Sequence, residues 1–233
     1  MRADAVIVAG GQGVRMQNAV SKQYLKLGGR PVLVHTLSAF EACPAIDHIY
    51  LVVPSSDFDF CRQTLLPPTG LQTAVTLVGG GSTRQESVYN GLLALKAQNR
   101  LVAIHDGVRP LVTPEMIEAC IQGAQQTGAC ILGVPATDTL KQVNTEKFIA
   151  NTLPRRTIWL AQTPQVFDYK LIREAHDAAR LAGVAGTDDA ALVEQSGHPV
   201  KIVMGSRMNI KITTPDDLKM AEAVLTASTH LTA

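Results

Sequence analysis

Neither charge is in surplus. The 233-residue chain sets 21 Lys and Arg against 20 Asp and Glu, a formal net charge of +1. That balance gives no support to a broad nucleic-acid or membrane surface, so any bound anion must be met by cations placed locally. Cysteine is scarce and unpatterned: Cys43, Cys61, Cys120 and Cys130 make no C-x-x-C and no metal-ligand spacing. Two of them fall in apolar helix and strand patterns, and all four are expected to be reduced and structural. No apolar run is long enough to cross a bilayer, and the opening residues are too short a run for the core of a signal peptide. A cytoplasmic protein is expected, with neither nucleic acid nor membrane as partner. Repeats and low-complexity tracts are absent as well, and spacing picks out no Ser-His-Asp or activated-Cys arrangement.

What is present reads as one sizeable α/β domain over residues 1–233. Apolar runs of strand length at Ala5–Ala9, His48–Val53, Ala74–Val78, Leu101–His105 and Cys130–Val134 alternate with helical patterns. Nearly continuous apolar strands are expected where both sheet faces are covered, which predicts a doubly wound, mainly parallel, Rossmann-like sheet. Helices are predicted over Pro31–Phe40, Ser55–Leu65 and Gln85–Ala97. Another starts at Thr113-Pro114 and stops at Gly128, and a last one starts at Thr214-Pro215. Residues 136–157 break this rhythm. Two short alternating runs about Asn144-Thr145-Glu146-Lys147 fit either a projecting β-hairpin arm or a plain surface loop.

The first strand empties into Ala9-Gly10-Gly11-Gln12-Gly13-Val14-Arg15-Met16, and Lys22-Gln23-Tyr24-Leu25 follows. Glycines let backbone N–H groups approach an anion closely, and Arg15 and Lys22 add charge, so the loop reads as a polyphosphate cradle. It is neither a dinucleotide fingerprint, which fails at Met16, nor an NTPase phosphate loop, which needs Gly-Lys-Ser/Thr. In an open α/β sheet, ligands sit beyond the carboxyl ends of the strands. Two further predicted strands deliver Gly79-Gly80-Gly81-Ser82-Thr83-Arg84, with Ser87 one turn on, and His105-Asp106-Gly107-Val108-Arg109. Asp106 is the candidate ligand for a triphosphate-borne Mg²⁺, which needs only one or two carboxylates, or else it caps a turn. His105 is read as structural or hydrogen-bonding. Lys211, in the β-like frame Asn209-Ile210-Lys211-Ile212-Thr213, either faces water or enters a site. A phosphate monoester is already an anionic nucleophile near neutral pH. A pocket of converging cations plus Mg²⁺ is what its attack on an α-phosphate requires.

Ordered blocks along nearly the whole chain resemble the 2-C-methyl-D-erythritol 4-phosphate cytidylyltransferase family. They are Ala9–Met16 with Lys22–Leu25, Gly80–Leu92, His105–Pro110, Thr139, Arg155–Phe167 with Gln162-Thr163-Pro164-Gln165, Thr187-Asp188-Asp189-Ala190, and Asn209–Thr213. The resemblance implies a nucleotidyltransferase that joins CMP from CTP to methylerythritol phosphate and releases pyrophosphate. It implies that Ala9, Gly10, Gly11 and Gly13 hold the triphosphate while Arg15 and Lys22 stabilise the α-phosphate. Gly80, Gly81, Ser82 and Ser87 would read cytosine, and Asp106 with Gly107 would lie by the ribose and Mg²⁺ (or another divalent cation). Arg109, Thr139, Arg155, Thr187 and Lys211 would recognise the acceptor, with Lys211 also positioning its phosphate. The same resemblance implies a homodimer in which the 136–157 arm carries Thr139 and Arg155 into the partner's site. Two alternatives stand beside this one: a ribitol 5-phosphate cytidylyltransferase, which is similar in several blocks, and a non-catalytic nucleotide-binding protein.

Overall fold

The strand that opens the chain, β1 (Ala3–Val8), is buried along its whole length, and its pleat sorts side chains to two faces. Ala3, Ala5 and Ile7 join one core, and Val6 and Val8 join another. The computed structural model describes residues 2–11, 21–96 and 100–231. A small ribbon, β2 (Lys26–Leu27) and β3 (Arg30–Pro31), leads to α1 (Val32–Glu41) and β4 (Ile46–Val53). A winding helical stretch containing α2 (Phe58–Phe60) precedes β5 (Ala74–Gly79), α3 (Arg84–Ala94), β6 (Leu101–Asp106), α4 (Pro114–Thr127) and β7 (Ala129–Pro135). The strands β8 (Lys141–Val143) and β9 (Ile149–Thr152) stand apart from the main sheet. The chain closes with β10 (Trp159–Asp168), α5 (Tyr169–Ala182), α6 (Asp189–Gln195), β11 (Lys201–Met204) and α7 (Pro215–Leu231).

Seven strands make one sheet in the order β11-β7-β10-β6-β1-β4-β5. Every neighbouring pair is parallel except those of β10, which runs antiparallel to both β6 and β7. Residues of α1 and α4 pack on one face, and those of α3, α5 and α6 on the other. The chain leaves β1 toward β4 and β5 and later returns to place β6 on its opposite side. The carboxyl ends of β1 and β6 therefore flank a topological switch point, where α/β sheets open a crevice. The α4 signals are realised in full: Thr113 Oγ1 accepts from Met116 N, Pro114 opens the helix, and Gly128 closes it at φ +79°.

The strand β10 was not foreseen, because it hides polar residues. Gln162, Thr163 and Gln165 are all buried there, each with its polarity absorbed by hydrogen bonds to other segments. Pro164 sits where the β7 register shifts, a place that tolerates a missing ladder N–H. Between 136 and 157 the hairpin, not the plain loop, is realised: β8 and β9 pair antiparallel. Its tip is tied by Asn144 Oδ1, which accepts from Glu146 N at 3.1 Å and Phe148 N at 2.9 Å. Phe148 is 68% exposed and Ile149 63%.

Candidate active site

The carboxyl ends of β1, β5 and β6 open on one cavity of about 600 Å³. Ala9, Gly10 and Gly11 line it after β1, Gly81 and Ser82 after β5, and Asp106 at the end of β6, with Lys22, Ser87 and Lys211 completing the wall. Gly13 and Arg15 lie outside the described residues. Ser87 joins the two glycine segments. Its hydroxyl accepts from Gly81 N at 3.0 Å and donates to Thr83 O at 2.9 Å, and it lies over Gly10. Thr83 caps α3 by accepting from Glu86 N, while Glu86 takes hydrogen bonds from Ser82 N and Oγ at 2.8 and 2.6 Å. The turn is thus held by side chains, leaving it preorganised rather than loose.

Gly107 stands at a close crossing. A Cβ there would come within 3.0 Å of both Ala9 Cβ and Leu33 Cδ1, and its N–H donates to Val8 O at 2.9 Å. Glycine therefore lets the β6 loop pass directly beside the β1 loop.

Asp106 is the hub. Its Oδ1 accepts from Arg84 Nε at 2.8 Å, and its Oδ2 meets Lys211 Nζ at 2.7 Å and Arg109 Nε at 3.8 Å. Burial alone would raise the carboxyl, but the charges of Arg84 and then Lys211 overcome it and hold Asp106 well below the usual carboxylate range. Lys211 thus enters the site rather than facing water, and Asn209–Thr213 is an irregular segment, not a strand. Arg84 also pairs with Asp189 at 2.8 Å. Three cations (Arg84, Arg109, Lys211) against two carboxylates (Asp106, Asp189) leave positive charge at the cavity, to which Lys22 adds. Such a surplus in a half-enclosed pocket suits a polyanion.

Behind Asp106, His105 is fully buried, and burial pushes its imidazole down to about 3, so it is neutral near pH 7. Its Nε2 lies 3.3 Å from Arg109 O, which can only accept, so Nε2 carries the proton. Nδ1 then accepts from the Thr163 hydroxyl at 3.0 Å, whose oxygen accepts from Asp106 N at 3.1 Å. This agrees with a hydrogen-bonding histidine that fixes the loop.

Not every anticipated residue gathers here. Gly80 donates its N–H to Val53 O at 2.8 Å and stands one residue behind the wall. Arg109 is turned inward, donating through Nη1 to Asn209 O at 2.7 Å. Thr139, Arg155 and Thr187 are exposed and do not line the cavity, and Arg155 Nη1 donates to Thr137 O. Among the lining residues to which the sequence assigned no role, Arg84 and Gln23 stand out. Arg84 stood in the glycine run after β5, and the strand-end rule alone could have flagged it. Gln23 is 1% exposed, and neither atom of its carboxamide has a hydrogen-bond partner among the described residues. A buried amide left unpartnered beside the cavity is a costly feature. Nothing in the sequence signalled its burial.

A model of the family described as "IspD: 2-C-methyl-D-erythritol 4-phosphate cytidylyltransferase" matches residues 3–227. The chain is 50% identical to the 2-C-methyl-D-erythritol 4-phosphate cytidylyltransferase of Syntrophus aciditrophicus, over 95% of this chain and 94% of the relative. It is 48% identical to that of Pelotomaculum thermopropionicum, over 96% and 94%. Among solved structures, the 4-diphosphocytidyl-2C-methyl-D-erythritol synthase of Anaerococcus prevotii is similar with a TM-score of 0.86 at 34% identity, covering 97% of this chain and 96% of that one.

Proposed function

The chain belongs to the 2-C-methyl-D-erythritol 4-phosphate cytidylyltransferase family, and on that premise we propose that its cavity joins CMP, taken from CTP, to 2-C-methyl-D-erythritol 4-phosphate. Pyrophosphate is released, and the product, 4-diphosphocytidyl-2-C-methyl-D-erythritol, serves non-mevalonate isoprenoid biosynthesis. The observation that carries this reading is the meeting of three strand ends, two of them glycine loops, at one cavity with Arg84 and Lys211 on a buried carboxylate and Lys22 in the same wall. A phosphate oxygen of the acceptor attacks the α-phosphorus of CTP, the new P–O bond forms, and the bond to the pyrophosphate oxygen breaks. Two anions must be held in line while charge builds on the phosphoryl oxygens, so positioning and neutralisation dominate the catalysis.

In this reading the N–H groups of Gly10 and Gly11, with Gly13, hold the triphosphate, and Lys22 and Arg15 stabilise the α-phosphate as it expands. Gly80, Gly81, Ser82 and Ser87 read the cytosine. Lys211 positions the acceptor phosphate. Mg²⁺ fits the donor set: an ion carried by phosphate and water needs one carboxylate, and Asp106 is an ionised carboxylate in the cavity wall. Bound there beside Lys211, it would neutralise phosphate charge. Asp106 would hold it, while Arg84 keeps the same carboxylate fixed.

Thr139 and Arg155 serve the acceptor from an arm outside the single-chain cavity, which fits a homodimer with shared sites, and Thr187 is assigned to the acceptor as well. The exposed Val143, Phe148 and Ile149 of the hairpin offer the apolar surface for a second copy. A cytoplasmic location is supported by four free cysteines, all buried. Among the described residues no helix is long and apolar enough to cross a membrane.

Ribitol 5-phosphate is not the favoured acceptor, since the matching family and relatives carry the methylerythritol phosphate name. Pyrophosphate release with Mg²⁺ and CTP, offered each acceptor in parallel, tests the reading. Release with methylerythritol phosphate alone is expected. Preference for ribitol phosphate would overturn the acceptor, and no release with either would overturn the enzyme.

A further inference from the structure

Asp189 stands in the first turn of α6 and is 1% exposed. Its N–H and that of Ala190 donate to Gln165 Oε1 at 3.1 Å each, and Asp188 Oδ1 accepts from Ala191 N at 2.9 Å. The carboxylate is thereby fixed from behind, by β10 and by its own helix. One of its oxygens accepts from His176 Nε2 at 3.2 Å and the other from Arg84 Nη1 at 2.8 Å. Arg84 Nε then reaches Asp106 Oδ1, and Asp106 Oδ2 meets Lys211 Nζ. The series runs unbroken from α5 and α6, through α3, to the tip of β6 and the segment before α7. Arg84, Asp106 and Lys211 line the cavity, whereas Asp189 and His176 lie behind it.

This geometry answers a question the reaction raises. Lys211 carries a single charge, and the more of it incoming phosphates take up the less remains for Asp106 Oδ2, while a buried carboxylate left under-compensated is costly. Asp106 keeps two other cations, Arg84 Nε in close contact at 2.8 Å and Arg109 Nε farther off at 3.8 Å, so Arg84 is the close partner that stays. The planar guanidinium of Arg84 offers separate N–H groups to two carboxylates at once, a task one ammonium group does poorly. Arg84 is itself partly exposed, and its bond to Asp189 opposes its turning toward a bound polyphosphate.

We propose that Asp189 is a positioning residue for the transfer reaction: it clamps Arg84 onto Asp106, so that Asp106 stays compensated when Lys211 turns to the phosphates. This rests on the cytidylyl transfer proposed above. Asp189 touches neither substrate and acts through Arg84, so removing it impairs the step in which Lys211 is needed more than it impairs nucleotide capture.

The test compares Asp189→Asn, Arg84→Lys, Arg84→Ala and the double variant Arg84→Ala/Asp189→Asn with the wild type. Turnover comes from pyrophosphate release and CTP affinity from calorimetry without acceptor. Asp189→Asn and Arg84→Lys are expected to lower kcat by about 10- to 100-fold, the range seen when outer-shell partners are lost. CTP affinity is expected to stay within roughly threefold of wild type, and the double variant to be no slower than Arg84→Ala, because one residue works through the other. Multiplicative losses in the double variant, or equal losses of CTP affinity and kcat, would overturn the clamp. Should Asp189→Asn fail to fold, Arg84→Lys decides, since wild-type turnover in it overturns the proposal. A separate readout is the Nε–H signal of Arg84 in ¹⁵N-arginine-labelled protein, assigned by its loss in Arg84→Lys. It is expected to exchange slowly in the wild type and fast in Asp189→Asn, and unchanged exchange overturns the clamp. Wild-type protein that releases no pyrophosphate tells against the assigned reaction, while the Arg84 signal still reports on the clamp.

Discussion

Lys22 lines the cavity close to Gly11, whereas Arg155 lies exposed on the helical turn before β10, so losing either charge should damage a different kinetic constant. Lys22→Ala is expected to lower kcat by about 10²–10³-fold, the range for removing one transition-state donor, with little change in the KM for CTP. Arg155→Ala is expected to raise the KM for the acceptor roughly tenfold or more, as for a lost charge-assisted hydrogen bond. Steady-state kinetics with each substrate varied in turn separates the two. His105 carries a pH prediction of its own. Burial lowers its folded pKa to about 3, while the unfolded chain titrates near the ordinary value of 6.5. Between those values the unfolded state binds the extra proton. Stability from this group is therefore complete above about pH 6.5 and falls as pH drops toward 3, by up to about 1.4 kcal/mol per pH unit. Urea titrations at pH 7, 6 and 5 should show a shallower loss for His105→Gln than for the wild type, and parallel slopes would contradict the buried neutral imidazole.

The helix α3 delivers Arg84 and Ser87, and how close it lies to the sheet depends on Gly91. A Cβ there would sit 2.5 Å from Val6 Cγ1 and 3.2 Å from Val52 Cγ2. Gly91→Ala is thus expected to cost about 1–3 kcal/mol through overpacking, despite alanine's better helix propensity. Because the displaced helix carries two cavity residues, CTP binding should weaken as well. Calorimetry on the folded variant and a denaturation curve check both parts. Elements whose burial is mainly apolar were legible in the sequence: β1, β4 and β6 are rich in Ala, Val, Ile and Leu, and Thr113, Pro114 and Gly128 mark both ends of α4 by capping and backbone chemistry. The strand β10 was illegible because its buried Gln162, Thr163 and Gln165 look like surface residues until their partners are known. The same reason hid Arg84 as a hub. Its ion pair with Asp189 spans 105 positions, and only the packing of α6 against β10 makes it local. The glycine loops were legible because close backbone approach demands a residue type, whereas ion pairing between distant side chains leaves no pattern of spacing.

At the scale of the molecule, the residues proposed for the site fall into two groups that do not meet within one chain. Lys22, Asp106 and Lys211 line the cavity, while Thr139 and Arg155 flank an exposed hairpin outside it. If the proposed dimer exchanges hairpins, a site takes Lys22 from one protomer and Arg155 from the other. Lys22→Ala and Arg155→Ala homodimers then have two damaged sites each. In a hybrid of the two, both lesions fall into one site, and the other receives an intact Lys22 and an intact Arg155. Random re-association of equal amounts makes half of the dimers hybrids, each with one good site in two, so with acceptor well below its KM, where both single variants are slow, roughly a quarter of wild-type activity should return. The mixture must first be dissociated, and re-formation of dimers followed by light scattering. Recovery to that level would place Arg155 in the neighbour's site. If each hairpin served its own cavity instead, every hybrid site would keep one lesion and mixing would restore nothing.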